Sequence, residues 1–209
     1  MKIQAIAQQT SPADPPKARA AEARRKMEAQ SVFVGGVHGS GKSSFCQELA
    51  PYLGAHHVTA SSLIASAKRL ESGKATSGIA NNQRLLVAEF RKIAKRYSSI
   101  LLDGHFCLLN KSGQIEILPV QVFKELSIGK IVIIQSPPPL IYERLLNRDG
   151  STHQLSISDI GSFQEAEIAH AQVVANTFHL PLLNVDPSEQ ANALDVIAEF
   201  VRTGDGSCS

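Results

Sequence analysis

The residues best suited to chemistry lie in "GVHGSGKS", residues 36–43. Their spacing matches the phosphate-binding pattern G-x-x-x-x-G-K-[ST] without exception. In such a loop, glycines allow backbone N–H groups to point at phosphate oxygens, and the following helix directs the positive end of its dipole toward them. We expect Lys42 to neutralise the outer phosphates and Ser43 to bind Mg²⁺. The predicted nucleotide-binding residues are Gly36, Val37, His38, Gly39, Ser40, Gly41, Lys42, Ser43 and Ser44.

The context of this loop supports the prediction. The apolar segment "SVFVG" precedes it, and the helical pattern "KSSFCQELAPYL" follows. A phosphate loop connects a strand to a helix in this way, whereas a chance match in a Gly/Ser-rich turn does not require that context. We expect the side chain of His38 to point outward and to take no part in binding.

A second candidate group follows the buried segment "SSILLDGHFCLL". Asp103 ends its apolar run, and His105 lies two residues later. An acid at the carboxyl end of a strand beside the phosphate-loop strand can assist Mg²⁺ or orient and deprotonate an acceptor, and His105 is the alternative for that second task. A lone aspartate at a strand end can also be a turn former or a helix cap.

Other nucleotide-binding classes fit less well. A GTPase D-x-x-G motif would require glycine at position 106, where Phe106 stands, and "NKSG" ends in Gly113 where the base-reading N-K-x-D needs aspartate. The transporter-ATPase segment LSGGQ is absent, and residues 31–202 leave little room for the extra helical domain of ring-forming ATPases. The small kinases remain.

The elements that must position these residues alternate between short apolar runs and longer helical patterns, which favours a parallel α/β sheet covered by helices. Three of the predicted strands are nearly continuous in Ile, Leu and Val, as strands buried on both faces are. The strands are predicted at Val32–Gly35, His57–Ala60, Ser99–Asp103, Lys130–Gln135 and Leu180–Val185, and the helices at 42–53, 61–73, 81–97, 119–126, 138–148, 159–178 and 188–202.

Length and composition indicate one domain with tails. The chain has 209 residues, of which 43% are hydrophobic, enough for one sizeable core. Three cysteines without CxxC spacing suggest neither a disulfide framework nor a zinc site, and fit a reducing cytoplasm. No apolar run is long enough for a membrane span. We expect a basic leader at residues 1–30, a nucleotide-binding domain at 31–202 and a short tail at 203–209.

The positive charge is concentrated in the leader. Residues 17–28 carry five basic and two acidic side chains, whereas the overall formal charge is only +2. The remaining body is therefore close to neutral, and nucleic acid is not an expected partner. The leader itself is typical of a solvated, alanine-rich helical or disordered segment, with a nucleic-acid-binding arm as the less favoured alternative.

The region 100–186 resembles the small P-loop nucleoside monophosphate kinases, particularly the archaeal-type adenylate kinase branch, and small ATP-binding proteins with an AAA domain. The resemblance rests on Asp103-Gly104-His105, on Leu118-Pro119, and on a strand followed by an arginine-bearing helix. It implies a three-layer fold with a five-stranded parallel sheet, ATP and Mg²⁺ as cofactors, and phosphoryl transfer beneath a mobile lid at about residues 147–160.

The arginines of that helix are the candidate lid residues. Arg144 and Arg148 are four positions apart and share a helix face. Guanidinium groups suit the oxygens of a transferring phosphate, and lid closure would exclude water. The alternative for both is an exposed helix face, and for His153 of the presumed lid an ordinary surface position is favoured.

The segment between the second and third strands would hold the phosphate acceptor. Its basic residues are Lys68, Arg69, Lys74 and Arg84, and none matches a known phosphate-gripping motif. Ser61, Ser62, Asn82 and Gln83 could instead bind a polar acceptor, or they could cap a helix and face solvent. In the helical segment 164–172 we expect Glu165, Glu167 and His170 to face water while the alanines and Ile168 pack.

These features favour a small ATP-dependent kinase acting on a nucleotide, a nucleoside or another small hydroxyl or phosphate acceptor. Lys42, Asp103, His105, Arg144 and Arg148 would carry catalysis, with Ser43 and Asp103 at the metal. A regulatory ATPase that acts through a protein partner is the main alternative. Phosphorylation of nucleic-acid ends is a third and less favoured possibility.

Overall fold

The central sheet contains five parallel strands with the phosphate-loop strand in the middle. The computed structural model describes residues 30–70, 78–110, 112–149 and 155–203. The sheet order is β2-β3-β1-β6-β7, so the second and third strands lie on one side of β1 and the last two on the other. The seven strands are β1 (Gln30–Gly35), β2 (His56–Thr59), β3 (Ser99–Asp103), β4 (Cys107–Leu109), β5 (Ile115–Ile117), β6 (Lys130–Ile134) and β7 (Leu182–Val185).

Helices cover both faces of this sheet, because its strands alternate apolar side chains between two cores. Phe33 of β1 points into one core, whereas Val32 and Val34 point into the other. The helices in chain order are α1 (Lys42–Leu53), α2 (Ala60–Leu70), α3 (Ile79–Ala94), α4 (Val120–Glu125), α5 (Pro138–Asp149), α6 (Ile157–Phe178) and α7 (Ala193–Arg202). The predicted three-layer α/β fold with a five-stranded parallel sheet is therefore confirmed.

Helices α1 and α7 cover one face of the sheet, and the other described helices cover the opposite face. Phe45 and Leu49 of α1 share a core with Ile197 of α7. The second core is larger and receives residues from α2 through α6, including Phe90 and Phe123. The segments between β2 and α4 therefore pack mainly on this second side of the sheet.

A two-stranded hairpin, formed by β4 and β5, was not predicted. Its strands pair antiparallel, with Cys107 opposite Ile117. At its base, the Leu118 N–H donates to the Phe106 carbonyl at 3.0 Å. The strands have three residues each, which is too short for a clear alternating pattern. The hairpin follows Asp103 directly and so forms one wall beside the carboxyl end of β3.

Most predicted boundaries are correct to within two or three residues, and one is clearly wrong. The last helix begins at Ala193, not at residue 188, because Asp186 organises a turn in which its carboxylate accepts hydrogen bonds from the N–H and the hydroxyl of Ser188. The leader up to residue 29, the tail from residue 204 and the centre of the presumed lid at 150–154 lie outside the described residues, so these assignments stay predictions. No helix in the described ranges is both long and apolar enough to cross a membrane.

Candidate active site

The phosphate loop leaves β1 at Gly35 and enters α1 at Lys42, as predicted. Gly36 has φ +146°, and a Cβ at this position would overlap the carbonyl oxygen of Ile134. Gly41 has φ +92°, a conformation that residues with a side chain rarely adopt. The loop therefore keeps its glycines for backbone reasons.

The N-terminus of α1 is open to a ligand. No side chain caps the helix at Gly41, so the first amides of the helix remain available to an anion. A cavity of about 260 Å³ lies at this point, and the residues that line it include Gly39, Lys42, Ser43, Arg144 and Arg148. The structure thus brings both predicted lid arginines to the phosphate loop, although they come from more than 100 residues further along the chain.

Arg144 also holds the loop directly. Its guanidinium donates to the Gly39 carbonyl and to the Ser136 hydroxyl, each at 3.2 Å. Ser136 in turn donates to the Ser40 carbonyl at 3.1 Å. The segment after β6 therefore braces the middle of the phosphate loop through two side chains.

Asp103 forms the centre of a buried polar cluster. One carboxylate oxygen lies 2.7 Å from Lys42 Nζ, and the other accepts a hydrogen bond from the Ser43 hydroxyl at 2.5 Å. Burial would raise the pKa of Asp103, but His57, Lys42 and Ser43 together hold this pKa well below its usual value. Asp103 is therefore an anion at neutral pH and a weak base.

His105 lies next to this cluster and is neutral. Burial, together with the charges of Lys42 and His38, lowers its pKa well below the usual value. Its Nε2 atom is buried and has no hydrogen-bond partner. The His38 ring packs against it with 4.3 Å between ring centroids, so His38, which was expected to point away, is in contact with His105.

A second cavity of about 350 Å³ opens beside Lys42, Ser43, Asp103 and His105. It lies on the side of the larger core, and segments from β1 to α4 contribute to its walls. The phosphate loop and this second cavity, which we call the acceptor cavity, share Lys42 and Ser43. Its described lining residues are Phe33, His38, Lys42, Ser43, Thr59, Ala60, Ser61, Ile64, Asn82, Gln83, Leu86, Asp103, Gly104, His105, Leu108, Leu118, Val122, Phe123 and Leu126.

Three of the four predicted polar acceptor residues line this cavity, namely Ser61, Asn82 and Gln83. Ser62 does not. Its hydroxyl donates to the Thr59 carbonyl at 2.8 Å and its N–H donates to the Thr59 hydroxyl at 3.0 Å, so it serves the start of α2. Lys68, Arg69 and Arg84 are not among the lining residues, and Lys74 and His153 lie outside the described residues.

The prediction for Glu167 is wrong. Its side chain is 0% exposed, and its two oxygens accept three backbone hydrogen bonds, from Gly36 at 3.1 Å, Phe106 at 2.8 Å and Cys107 at 2.7 Å. Burial raises the pKa of Glu167 to about 7. Glu167 therefore ties the first residue of the phosphate loop to the segment that follows His105.

His170 is also buried, with 8% exposure, and Nε2 lies 2.6 Å from the Leu118 carbonyl oxygen. The sequence contained a usable indication. Ile160, Phe163, Glu167 and Val174 are spaced by three, four and seven residues and lie on one apolar stripe of α6. An acid on such a stripe requires buried partners, and the two loops supply them. Of the three polar residues, only Glu165 is exposed, as predicted.

Cys46, His57 and Asp103 have potential ligand atoms within 4.8 Å of one another. Burial raises the pKa of the Cys46 thiol to about 12, which disfavours the thiolate that a metal needs. Asp103 is already paired with Lys42. We therefore assign this group no transition metal. His57 nevertheless belongs to the site, since its Nε2 lies 3.9 Å from Asp103. It was not among the predicted site residues.

A third cavity, of about 490 Å³, extends from the other side of the phosphate loop toward α7. Ser44, Arg144 and Pro187 are among its lining residues. It offers room for the part of a nucleotide beyond its phosphates. The uncapped helix, the glycine-rich loop and Lys42 suit a phosphate chain, and the oxygen atoms of Ser43 and Asp103 are ligands that Mg²⁺ prefers. The residues present therefore fit both ATP and Mg²⁺.

Solved structures at low sequence identity resemble the fold of this chain. Among solved structures, YorR from Bacillus subtilis, in complex with phosphorylated GDP, is 20% identical over 82% of this chain and 92% of its own, with a TM-score of 0.53. A gluconokinase from Sinorhizobium meliloti is 20% identical over 85% and 91%, with a TM-score of 0.48. Shikimate kinase from Acinetobacter baumannii is 12% identical over 86% and 94%, with a TM-score of 0.49.

A search of curated protein sequences found no significant match. The family model described as "AAA domain" matches residues 35–161, which span the phosphate loop, Asp103, His105 and both arginines. The likeness to the archaeal-type adenylate kinase branch stays a prediction. Since the family model covers more than half of the chain, the protein belongs to this AAA-domain family.

Proposed function

We propose that this protein is a small kinase that transfers the terminal phosphate of Mg-ATP to a hydroxyl group of a small molecule. One observation carries the proposal. Lys42 and Ser43 line both the phosphate cavity and the acceptor cavity. The proposed donor and acceptor sites thus share these side chains, as well as His38, an arrangement that would place two reactants next to each other.

On the donor side, the loop amides and Lys42 hold the phosphates, and Arg144 and Arg148 stand where they can stabilise charge on the transferring group. Bound Mg²⁺ would neutralise phosphate charge, with Ser43 as a ligand and Asp103 beside it. The Lys42–Asp103 pair keeps the ammonium group in place at the loop. Positioning of this kind supplies most of the catalysis in phosphoryl transfer.

On the acceptor side, His105 is suited to orient the hydroxyl. Its neutral imidazole has a buried Nε2 without a partner, which can accept a hydrogen bond from the acceptor and take its proton as the new P–O bond forms. Asp103 is less suited to this task, because its two oxygens are already engaged by Lys42 and Ser43. The role proposed for Asp103 is therefore electrostatic, at Lys42 and Ser43.

The acceptor cavity also bears on the regulatory-ATPase alternative. Hydrolysis requires only a water molecule at the terminal phosphate, whereas a cavity of about 350 Å³ beside it falls in the size range of small-molecule sites. A small acceptor explains this space better than hydrolysis does.

The test is acceptor-dependent phosphoryl transfer. Purified protein with Mg-ATP labelled in the terminal phosphate is incubated with nucleosides, nucleotides, sugars, sugar acids and hydroxy acids, and both ADP and labelled product are measured. We expect ADP formation that rises with one class of acceptor, in step with a labelled product. ADP formed at one constant rate with every compound, and no labelled product, would instead support a plain ATPase.

A further inference from the structure

Among the described residues that line the acceptor cavity, Lys42 is the only lysine or arginine. It pairs with Asp103 at 2.7 Å, and the two side chains are only 6% and 4% exposed. A phosphate or carboxylate on the acceptor would therefore meet a cation already committed to a carboxylate and to the donor phosphates. Anionic ligands are normally bound by arginine or lysine side chains, and the described lining residues supply only the paired Lys42.

The nearby basic residue Arg84 is not among the residues that line the acceptor cavity. It lines a separate cavity with Glu116 and Glu125, and its guanidinium donates to the Asn81 side chain at 3.1 Å. This cavity shares Gln83 and Val122 with the acceptor cavity, whereas Arg84 lines only the former. The wall of the acceptor cavity therefore does not present Arg84 to a phosphate on the acceptor.

The inner wall of the acceptor cavity is apolar and partly aromatic. Phe33 and Phe123 meet edge to face with ring centroids 5.3 Å apart, and Leu86, Leu118 and Leu126 surround them. All five are nearly fully buried. Such walls suit a flat ring, which can cover apolar surface on both of its faces, and they suit a free sugar or polyol poorly because its hydroxyls would lose water without gaining partners.

Two neighbouring amides on α3 face this apolar space. Asn82 and Gln83 both line the cavity, and their carbonyl oxygens are buried without a hydrogen-bond partner. Gln83 is only 7% exposed. A buried amide normally has partners for its oxygen, and an amide can pair with the donor and acceptor pattern at the edge of a nucleobase. A ligand that carries N–H or O–H donors would therefore supply the hydrogen bonds that these two oxygens lack.

We propose that the acceptor is an uncharged nucleoside, an inference that rests on the proposed kinase function. Its base occupies the apolar part of the acceptor cavity with its polar edge toward Asn82 and Gln83, and a sugar hydroxyl faces His105. The hydroxyl oxygen bonds to the terminal phosphorus of ATP, the bond from that phosphorus to ADP breaks, and ADP leaves with the electron pair. The hydroxyl proton leaves through His105.

The first experiment compares matched acceptors with wild-type protein and labelled Mg-ATP. Each nucleoside is paired with its own 5′-monophosphate, and a sugar acid and a polyol are included. We expect labelled nucleoside monophosphate from at least one nucleoside, and little product from the others. Product only from a monophosphate, a sugar acid or a polyol overturns this inference but keeps the kinase. No labelled product from any compound overturns the kinase proposal and this inference together.

The second experiment tests the two amides. Asn82→Ala and Gln83→Ala should each raise the KM for the nucleoside about 5- to 30-fold, as expected for the loss of one or two hydrogen bonds, while the KM for ATP stays within twofold. Asn81→Ala is the matched control, since Asn81 precedes them on α3 and does not line the cavity. Equal KM values in all three variants would overturn the assignment of the amides.

A binding measurement covers the case in which Gln83→Ala fails to fold. Calorimetry of the wild-type protein with the nucleoside alone, and with its monophosphate alone, requires no variant. We expect the nucleoside to bind at least tenfold more tightly than its monophosphate. The reverse order would overturn the inference.

Discussion

The phosphate loop and the acceptor cavity share Lys42 and Ser43, but the loop is one continuous segment, whereas the cavity is lined by segments that are distant in sequence. The loop uses consecutive residues, with backbone amides as ligands and glycines for their conformation. The cavity collects side chains from three strands of the central sheet, the hairpin and four helices, from Phe33 to Leu126. The proposed binding of phosphate would thus depend on local sequence, whereas the proposed selection of an acceptor would depend on tertiary structure.

Their polar groups differ in the same way. On the loop side both charged groups are already engaged, with Lys42 paired to Asp103 and Arg144 donating to Gly39, although the Ser40 hydroxyl is buried without a partner. On the acceptor side three buried atoms have no partner, namely the Asn82 and Gln83 oxygens and His105 Nε2. The loop is therefore preorganised before its ligand arrives, and the acceptor side gains its missing hydrogen bonds only with a ligand.

The largest effect is expected on the shared residue. Lys42→Met should lower phosphoryl transfer by about 10²- to 10³-fold, because it removes a preorganised charge at the transferring phosphate. It also leaves Asp103 buried without its cation, so thermal unfolding is measured beside the steady-state rate. Lys68→Met, on α2 and outside both cavities, is the control. A Lys42→Met rate within tenfold of wild type would contradict the proposed role.

The next effect separates the two sides. His105→Ala should lower acceptor phosphorylation by about 10²-fold, in the range seen for loss of a general base, while the affinity for Mg-ATP changes less than threefold. Equilibrium binding of a fluorescent ATP analogue and single-turnover transfer measure these quantities separately. If ATP affinity falls as strongly as transfer does, His105 serves the loop and the division between the two sides does not hold there.

Glu167 is the residue that joins the two sides. Glu167→Gln keeps an oxygen for two of the three N–H donors but places an NH₂ group where Cys107 N–H needs an acceptor. We expect the free energy of unfolding to fall by about 1–3 kcal/mol, the cost of one unsatisfied buried group. Urea unfolding measures it. The control is Glu165→Gln, two residues earlier on α6, where the side chain is exposed. It should change the free energy of unfolding by less than about 0.5 kcal/mol. An equal loss in both variants would refute the structural role assigned to Glu167.

The sequence predicted the loop side well because its information is local. The motif at 36–43, the strand ending at Asp103 and the helix with Arg144 could each be identified in one segment. The acceptor side could not be predicted to the same depth. Ser61, Asn82 and Gln83 were identified only as residues with two possible roles, because a helix alone does not reveal which of its faces meets a cavity.

Glu167 shows the limit most clearly. Its partners are the backbone N–H groups of Gly36, Phe106 and Cys107. Residue types do not indicate which backbone N–H groups a side chain will contact, so these partners could not be predicted. His57 is a similar case, since its relation to Asp103 depends on the pairing of β2 with β3, in which Thr59 lies opposite Asp103. Sequence patterns identify residue types, and these contacts are made by atoms that every residue has or by strands that only the fold brings together.

The smallest effect concerns pH and sharpens the interpretation of Glu167. Its pKa is raised from 4.5 to about 7 by burial, so the folded protein binds more protons than the unfolded chain between those pH values, and stability falls as the pH rises through that interval. Glutamine does not titrate. The stability difference between wild type and Glu167→Gln should therefore be larger at pH 5 than at pH 8, as measured by urea unfolding at several pH values. A difference that grows with pH would mean that the three N–H donors outweigh burial, and that Glu167 is an anion throughout.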